Sequence, residues 1–113
     1  MTANLLPPGP YIACVEGGGT SWVCALSLLD SPTTVLRRAE YPTTNPTDTL
    51  NSCAAFLSSL PQFVAIGIAT FGPINRTTGY ITTTPKQGWN NADVLTPLLS
   101  LPCCKNVPYI FDT

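Results

Sequence analysis

Apolar residues along the chain come in short blocks broken by glycine, proline and threonine. Tyr11 to Glu16 (YIACVE) and Ser21 to Leu29 (SWVCALSLL) are β-compatible runs separated by Gly17, Gly18 and Gly19. A turn is expected at Asp30-Ser31-Pro32, followed by a third strand over Thr34 to Tyr41. Arg37, Arg38 and Glu40 suit an exposed edge, where charge discourages further strand pairing. The period then changes. Leu50, Cys53, Ala54, Leu57 and Leu60 recur at helical spacing. Asn45 supplies a cap, Pro46 fits the first helical position, Asp48 places a carboxylate near the N-terminus, and Pro61 ends the helix. Phe63 to Thr70 (FVAIGIAT) is a continuous apolar run, the pattern of a strand buried on both faces. Gly67 inside it predicts a close approach by another element. Phe71 to Asn90 reads as loop with a short strand at Tyr80 to Thr83. A second helix is expected over 91–101, capped by Asn91 or Thr96 with Pro97 in its first turn, and a last strand over Pro108 to Asp112.

The order is strand, strand, strand, helix, strand, helix, strand. The short first connection makes a hairpin, and helical crossovers make the later strands parallel. The expected fold class is α/β: a mixed five-stranded sheet, three antiparallel strands then two parallel ones, with helices. The chain's 113 residues correspond to one domain. Residues 1–10, with Pro7, Pro8 and Pro10, are expected as a loose arm before a domain over 11–113.

Charge and composition remove several function classes. Five Lys and Arg against six Asp and Glu offer no basic field for a nucleic acid. The chain has no histidine, so Ser-His-Asp and Cys-His catalysis within it are excluded. Cys14, Cys24, Cys53, Cys103 and Cys104 are odd in number and contain no C-x-x-C pair, which reads as small buried hydrophobes in a reducing compartment. No basic and apolar leader and no apolar stretch of spanning length is present, so a cytoplasmic, non-membrane protein is expected.

Three segments carry candidate chemistry. In Glu16-Gly17-Gly18-Gly19-Thr20-Ser21 a carboxylate ends one strand, glycines turn the chain, and hydroxyls open the next. Successive N–H groups of such a turn can form an anion nest, Thr20 and Ser21 can donate to phosphate oxygens, and Glu16 can hold a Mg2+ hydration shell. On local sequence alone a plain hairpin turn stands level with phosphate binding. Ala69-Thr70-Phe71-Gly72-Pro73 lies where a buried strand ends, the position at which open α/β sheets collect ligands. Gly79 to Asn90 combines Thr82, Thr83, Thr84, Lys86, Gln87 and Trp89; polar groups beside an aromatic suit a sugar, although Trp89 can equally anchor the loop.

Together these stretches resemble the N-terminal part of a ROK-family sugar kinase, most closely the fructokinase branch. The similar motifs are Glu16 to Thr20 (E-x-G-G-T), Thr43 to Leu50 (T-T-x-P-x-x-T-L), Ala65 to Ile74 (A-I-G-I-x-x-F-G-P-I), Gly79 to Trp89 (G-Y-I-T-x-T-P-K-x-x-W) and Phe111 to Thr113. The resemblance implies a lobe of the actin-like, ribonuclease-H-like ATPase fold, with ATP and Mg2+ as cofactors and a hexose, fructose first, as substrate. It implies that Glu16, Gly18, Gly19, Thr20 and Ser21 meet the nucleotide phosphates, that Gly72, Thr84, Lys86 and Trp89 lie toward the sugar, and that full-length members are often homodimers. Both groups would then have to share one crevice.

The chain also departs from the family pattern. Ser21 stands where Lys is frequent. The family's base is the Asp of T-D-V-N, and that position would follow Thr113; Asp112 comes before the Thr and is out of step with the motif. The later phosphate, adenosine and metal-site motifs are not in this sequence. The expectation is therefore a truncated kinase lobe, inactive alone, or a non-catalytic binding remnant. A face left without its usual cover should favour self-association.

Overall fold

The computed structural model describes residues 5–113. In chain order the elements are β1 (Tyr11–Gly17), β2 (Ser21–Leu28), β3 (Ser31–Pro42), α1 (Pro46–Ser58), β4 (Phe63–Thr70), β5 (Ile74–Asn75), β6 (Tyr80–Ile81), α2 (Leu95–Leu99), a 3-10 turn at Pro102–Cys104, and β7 (Tyr109–Asp112). The main sheet has the order β3-β2-β1-β4-β7. β1, β2 and β3 run antiparallel, while β4 pairs parallel with both β1 and β7. β5 and β6 form a separate two-stranded ribbon. The mixed five-stranded sheet is thus the expected one.

The central strands β1 and β4 alternate between two faces. Ala13 and Val15 of β1, Trp22, Cys24 and Leu26 of β2, Ile66 and Ile68 of β4 and Phe111 of β7 are buried in one cluster with Leu50, Cys53 and Leu57 of α1. α1 forms as its sequence dictates. The Asn45 side chain accepts the Asp48 N–H at 2.8 Å, Pro46 occupies the first turn, and the apolar stripe faces the sheet. The other face carries exposed Cys14, Glu16 and Ile110, with Ala65, Gly67 and Ala69 half-buried. β4 is therefore covered on one side only among the described residues. Nothing described lies within 4 Å of a Cβ built on Gly67, so the close approach expected there is not made.

Three other expectations change. β3 starts at Ser31, with Leu28 paired to Ser31, so the connection tightens to a two-residue turn at Leu29-Asp30. The second helix shrinks to α2. Asn91 sits at φ 58°, outside helical conformation, and Val94 is the cap residue without a side-chain bond; Asp93 Oδ1 accepts the Thr96 N–H instead. Pro97 does lie in the first turn, and Pro102 starts the 3-10 turn that follows. Cys14 is exposed, because an apolar run does not say which face a residue takes. Cys24, Cys53 and Cys104 are buried as expected and no cysteine is bridged. Of the leader, residues 5–10 are described: Leu6 packs on the core, Pro7 O accepts the Tyr11 hydroxyl, and Pro10 O accepts the Leu29 N–H.

Candidate functional site

A cavity of about 510 Å³ opens at the carboxyl end of β1, lined by Glu16, the turn Gly17 to Ser21, Val23, Ala69, Thr70 and Thr113. All five residues that the sequence assigns to phosphate lie on its wall. The backbone limits what each can offer. The Gly18 N–H donates to Ser21 O at 2.9 Å, which closes the hairpin, so this donor is not free for an anion. The N–H groups of Gly19 and Thr20 make no backbone bond among the described residues, and open space lies beside Gly19. Ser21 hydrogen-bonds the Glu40 carboxylate on β3; this bond first, and Arg38 second, holds Glu40 below the ordinary carboxylate range. Arg38 reaches Glu40 at 2.9 Å. Gly17 serves packing, since a Cβ there would overlap the Trp22 ring.

The turn is held in place by the segment between β3 and α1. Thr43 Oγ1 donates to Gly18 O at 2.7 Å and the Thr43 N–H donates to Thr20 O at 2.9 Å. Next to it, the Thr44 N–H donates to Thr49 Oγ1, and Thr44 O accepts the Trp89 indole N–H at 2.8 Å. Trp89 is fully buried; it stacks on Trp22 at 5.5 Å and meets Phe71 edge-on at 5.4 Å. The structure therefore gives Trp89 the anchoring role, with its ring inside the core. Through Thr43 and Thr44 the loop ending at Trp89 is tied to the same end of the sheet as the glycine turn.

The remaining sugar-side residues lie apart from the cavity wall. Thr84 and Lys86 are half-buried and do not line it. Thr84 Oγ1 accepts the Lys86 N–H at 3.2 Å and the Thr84 N–H is held by Asn90 Oδ1 at 2.7 Å, so this hydroxyl shapes the loop. Gly72 borders the cavity through Thr113: a Cβ on it would stand 3.0 Å from Thr113 Cγ2. Thr113 lines the cavity, whereas Asp112 points to the open face and pairs with Arg76. The Thr113 N–H first, and Arg76 second, hold the Asp112 carboxyl below its ordinary range. Asp112 and Thr113 thus take opposite faces, as the alternation of a strand requires.

Among the described residues no cysteine lines this cavity, and a hydrogen bond with Cys24 holds the buried Cys53 thiol below its ordinary value. Partial desolvation of its sulfur against the sheet pushes the otherwise exposed Cys14 thiol up, burial with neighbouring Cys103 pushes Cys104 up to about 12, and a hydrogen bond with Cys53 pushes Cys24 up. These three remain neutral thiols at neutral pH. No cluster of three metal-ligating side chains occurs among the described residues. Sequence reasoning gives no role to Thr43 or Thr70. Thr43 opens a family motif without pointing to a partner, and Thr70 reads as part of a turn.

Comparison with known proteins agrees with this architecture. The ROK family's sequence pattern matches residues 12–106. A fructokinase of Zymomonas mobilis is 44% identical over 94 residues, covering 74% of this chain and 31% of that protein. A fructokinase of Streptococcus mutans is 39% identical over 105 residues, covering 88% and 34%. The chain thus spans about a third of the length of these relatives. Among solved structures, a ROK family protein from Streptococcus pneumoniae in complex with sucrose superposes with a TM-score of 0.70 at 22% identity, over 90% of this chain and 34% of that one. A ROK family glucokinase from Streptomyces griseus in complex with glucose and AMPPNP gives 0.70 at 14% identity, over 89% and 32%. The fold is that of ROK sugar kinases, the actin-like ATPase fold, and the chain belongs to the ROK family.

Proposed function

We propose that residues 11–113 form the N-terminal lobe of an ATP-dependent hexose kinase, one that moves the γ-phosphoryl group of ATP to the 6-hydroxyl of fructose. The observation that carries this reading is the cavity where Glu16, the glycine turn and the Thr20 hydroxyl meet. The Gly19 and Thr20 N–H groups supply anion donors where the chain turns. The donor set has one carboxylate, Glu16, and no preformed protein cage. That fits a Mg2+ ion carried in on nucleotide phosphates, with Glu16 holding a water of its shell. When bound, such an ion neutralises phosphate charge. The rest of the chemistry is positioning and charge stabilisation, with a carboxylate to take the hydroxyl proton.

Among the described residues we assign no group to that proton. Among the described residues Glu16 is the one carboxylate on the cavity wall, and Asp112 is paired with Arg76 on the open face. We assign Gly72 and the loop bearing Thr84 and Lys86 to the sugar side, with Trp89 setting the loop's position. A second reading is a lobe that binds nucleotide or sugar without turnover: among the described residues, Glu16 alone brings a carboxylate to the cavity wall. The reading assigns the protein to the cytoplasm, where free buried thiols persist.

A coupled assay of the purified chain with ATP, Mg2+ and fructose tests this. The expected result is MgATP binding by calorimetry without turnover above background. Turnover would overturn the inactivity of the isolated lobe; no detectable MgATP binding would overturn the nucleotide assignment.

A further inference from the structure

We infer that Thr70 binds ligand: its hydroxyl donates to a phosphoryl oxygen in the cavity at the end of β4. The inference rests on the nucleotide reading above and adds a residue to it. Thr70 is 3% exposed and lies on the covered face of β4, in line with Ile66 and Ile68. Its Oγ1 is buried without a hydrogen-bond partner among the described residues. A buried hydroxyl with no partner is unfavourable, and native proteins rarely keep one. Thr49, equally buried, shows the ordinary solution: its Oγ1 accepts the Thr44 N–H at 3.0 Å.

The surroundings explain why no internal partner is available. Thr70 pairs across the sheet with Gly17, which has no side chain to offer. Beyond Gly17 in the same row stands Trp22, whose indole N–H is also buried and unpartnered. A valine would fill the same volume without the unsatisfied oxygen. Yet Thr70 lines the cavity with Gly19 and Thr20, the other donors there. In threonine, one staggered step about χ1 moves Oγ1 into the place that Cγ2 held. A group rich in acceptors, the oxygens of a phosphate, complements such a set of donors.

The test compares Thr70→Val and Thr70→Ser in the full chain. Calorimetry gives the Kd for MgATP and for adenosine, and thermal melting of ligand-free protein gives the stability. Thr70→Val should weaken MgATP binding roughly tenfold, leave adenosine unchanged and raise the melting midpoint. Thr70→Ser should keep MgATP binding near the unmodified value. Equal MgATP binding by the unmodified chain and Thr70→Val would overturn the role of Thr70 while leaving the nucleotide reading intact. A Thr70→Val chain that melts earlier or does not fold would make the hydroxyl structural and overturn it as well. An unmodified chain that binds no MgATP would overturn both.

Discussion

At the scale of single residues, Trp89 joins segments far apart in the chain. Its indole N–H reaches Thr44, 45 positions away, and its ring stacks on Trp22 from the second strand. Trp89→Phe keeps an aromatic ring but removes the bond to Thr44 O, which should cost about 1 kcal/mol in addition to the smaller ring's lost packing. Trp89→Ala should cost about 3–5 kcal/mol. Denaturant unfolding ranks the two; a Phe variant as stable as the unmodified chain would mean that the indole bond contributes nothing. Gly17 makes the complementary case. Gly17→Ala drives a Cβ into the Trp22 ring, so the ring must move. The expected cost is about 1–3 kcal/mol, seen together with a changed near-ultraviolet tryptophan signal. Both residues support the glycine turn from inside the core, without contact with a ligand.

At the scale of elements, the start of α1 and the edge of the sheet are where single groups weigh most. Asn45→Ala removes the side-chain acceptor of the Asp48 N–H and should cost about 1 kcal/mol in unfolding free energy. Acid should weaken the sheet edge. Glu40 is held below its ordinary 4.5 by Ser21 and Arg38, and Asp112 below 3.8 by the Thr113 N–H and Arg76. A depressed folded-state value means stability that is complete above the ordinary value and lost as pH falls through the folded one. Melting should therefore move lower as pH falls below the ordinary carboxylate range, and Glu40→Gln should flatten part of that slope. The legibility of the elements follows the same local physics. α1 could be read because Asn45, Pro46, Asp48 and the stripe of Leu50, Cys53 and Leu57 all point to one helix. α2 could not, since its limits depend on Asn91 taking a positive φ and on Asp93 reaching Thr96. The site was legible as a motif, Glu16 to Ser21, and illegible in its bonds. That Gly18 spends its N–H on Ser21, and that Ser21 reaches Glu40, depends on strand pairing across the sheet. Thr70 escapes a reading of the sequence because only burial on the covered face makes its hydroxyl unusual.

At the scale of the molecule, the two faces of the sheet differ in kind. One is closed by α1 and the aromatic group around Trp89. The other presents an apolar groove floored by Ile12, Cys14, Ala65 and Gly67, with Ile110 beside it at 73% exposed and Tyr109 at 49%. Exposed apolar surface of this kind drives association in water, and the chain's net charge of −1 gives little repulsion to oppose it. The isolated chain should therefore form dimers or larger species as its concentration rises, and light scattering coupled to gel filtration measures this directly. Ile110→Lys places a charge on that surface without touching the covered core, since Phe111 beside it is the buried residue of β7. The variant should shift the population toward monomer while melting close to the unmodified chain. A monodisperse unmodified monomer, or a lysine variant that associates as strongly as its parent, would show that the open face does not govern association. Either result would leave the covered face, and the cavity at its end, as they are.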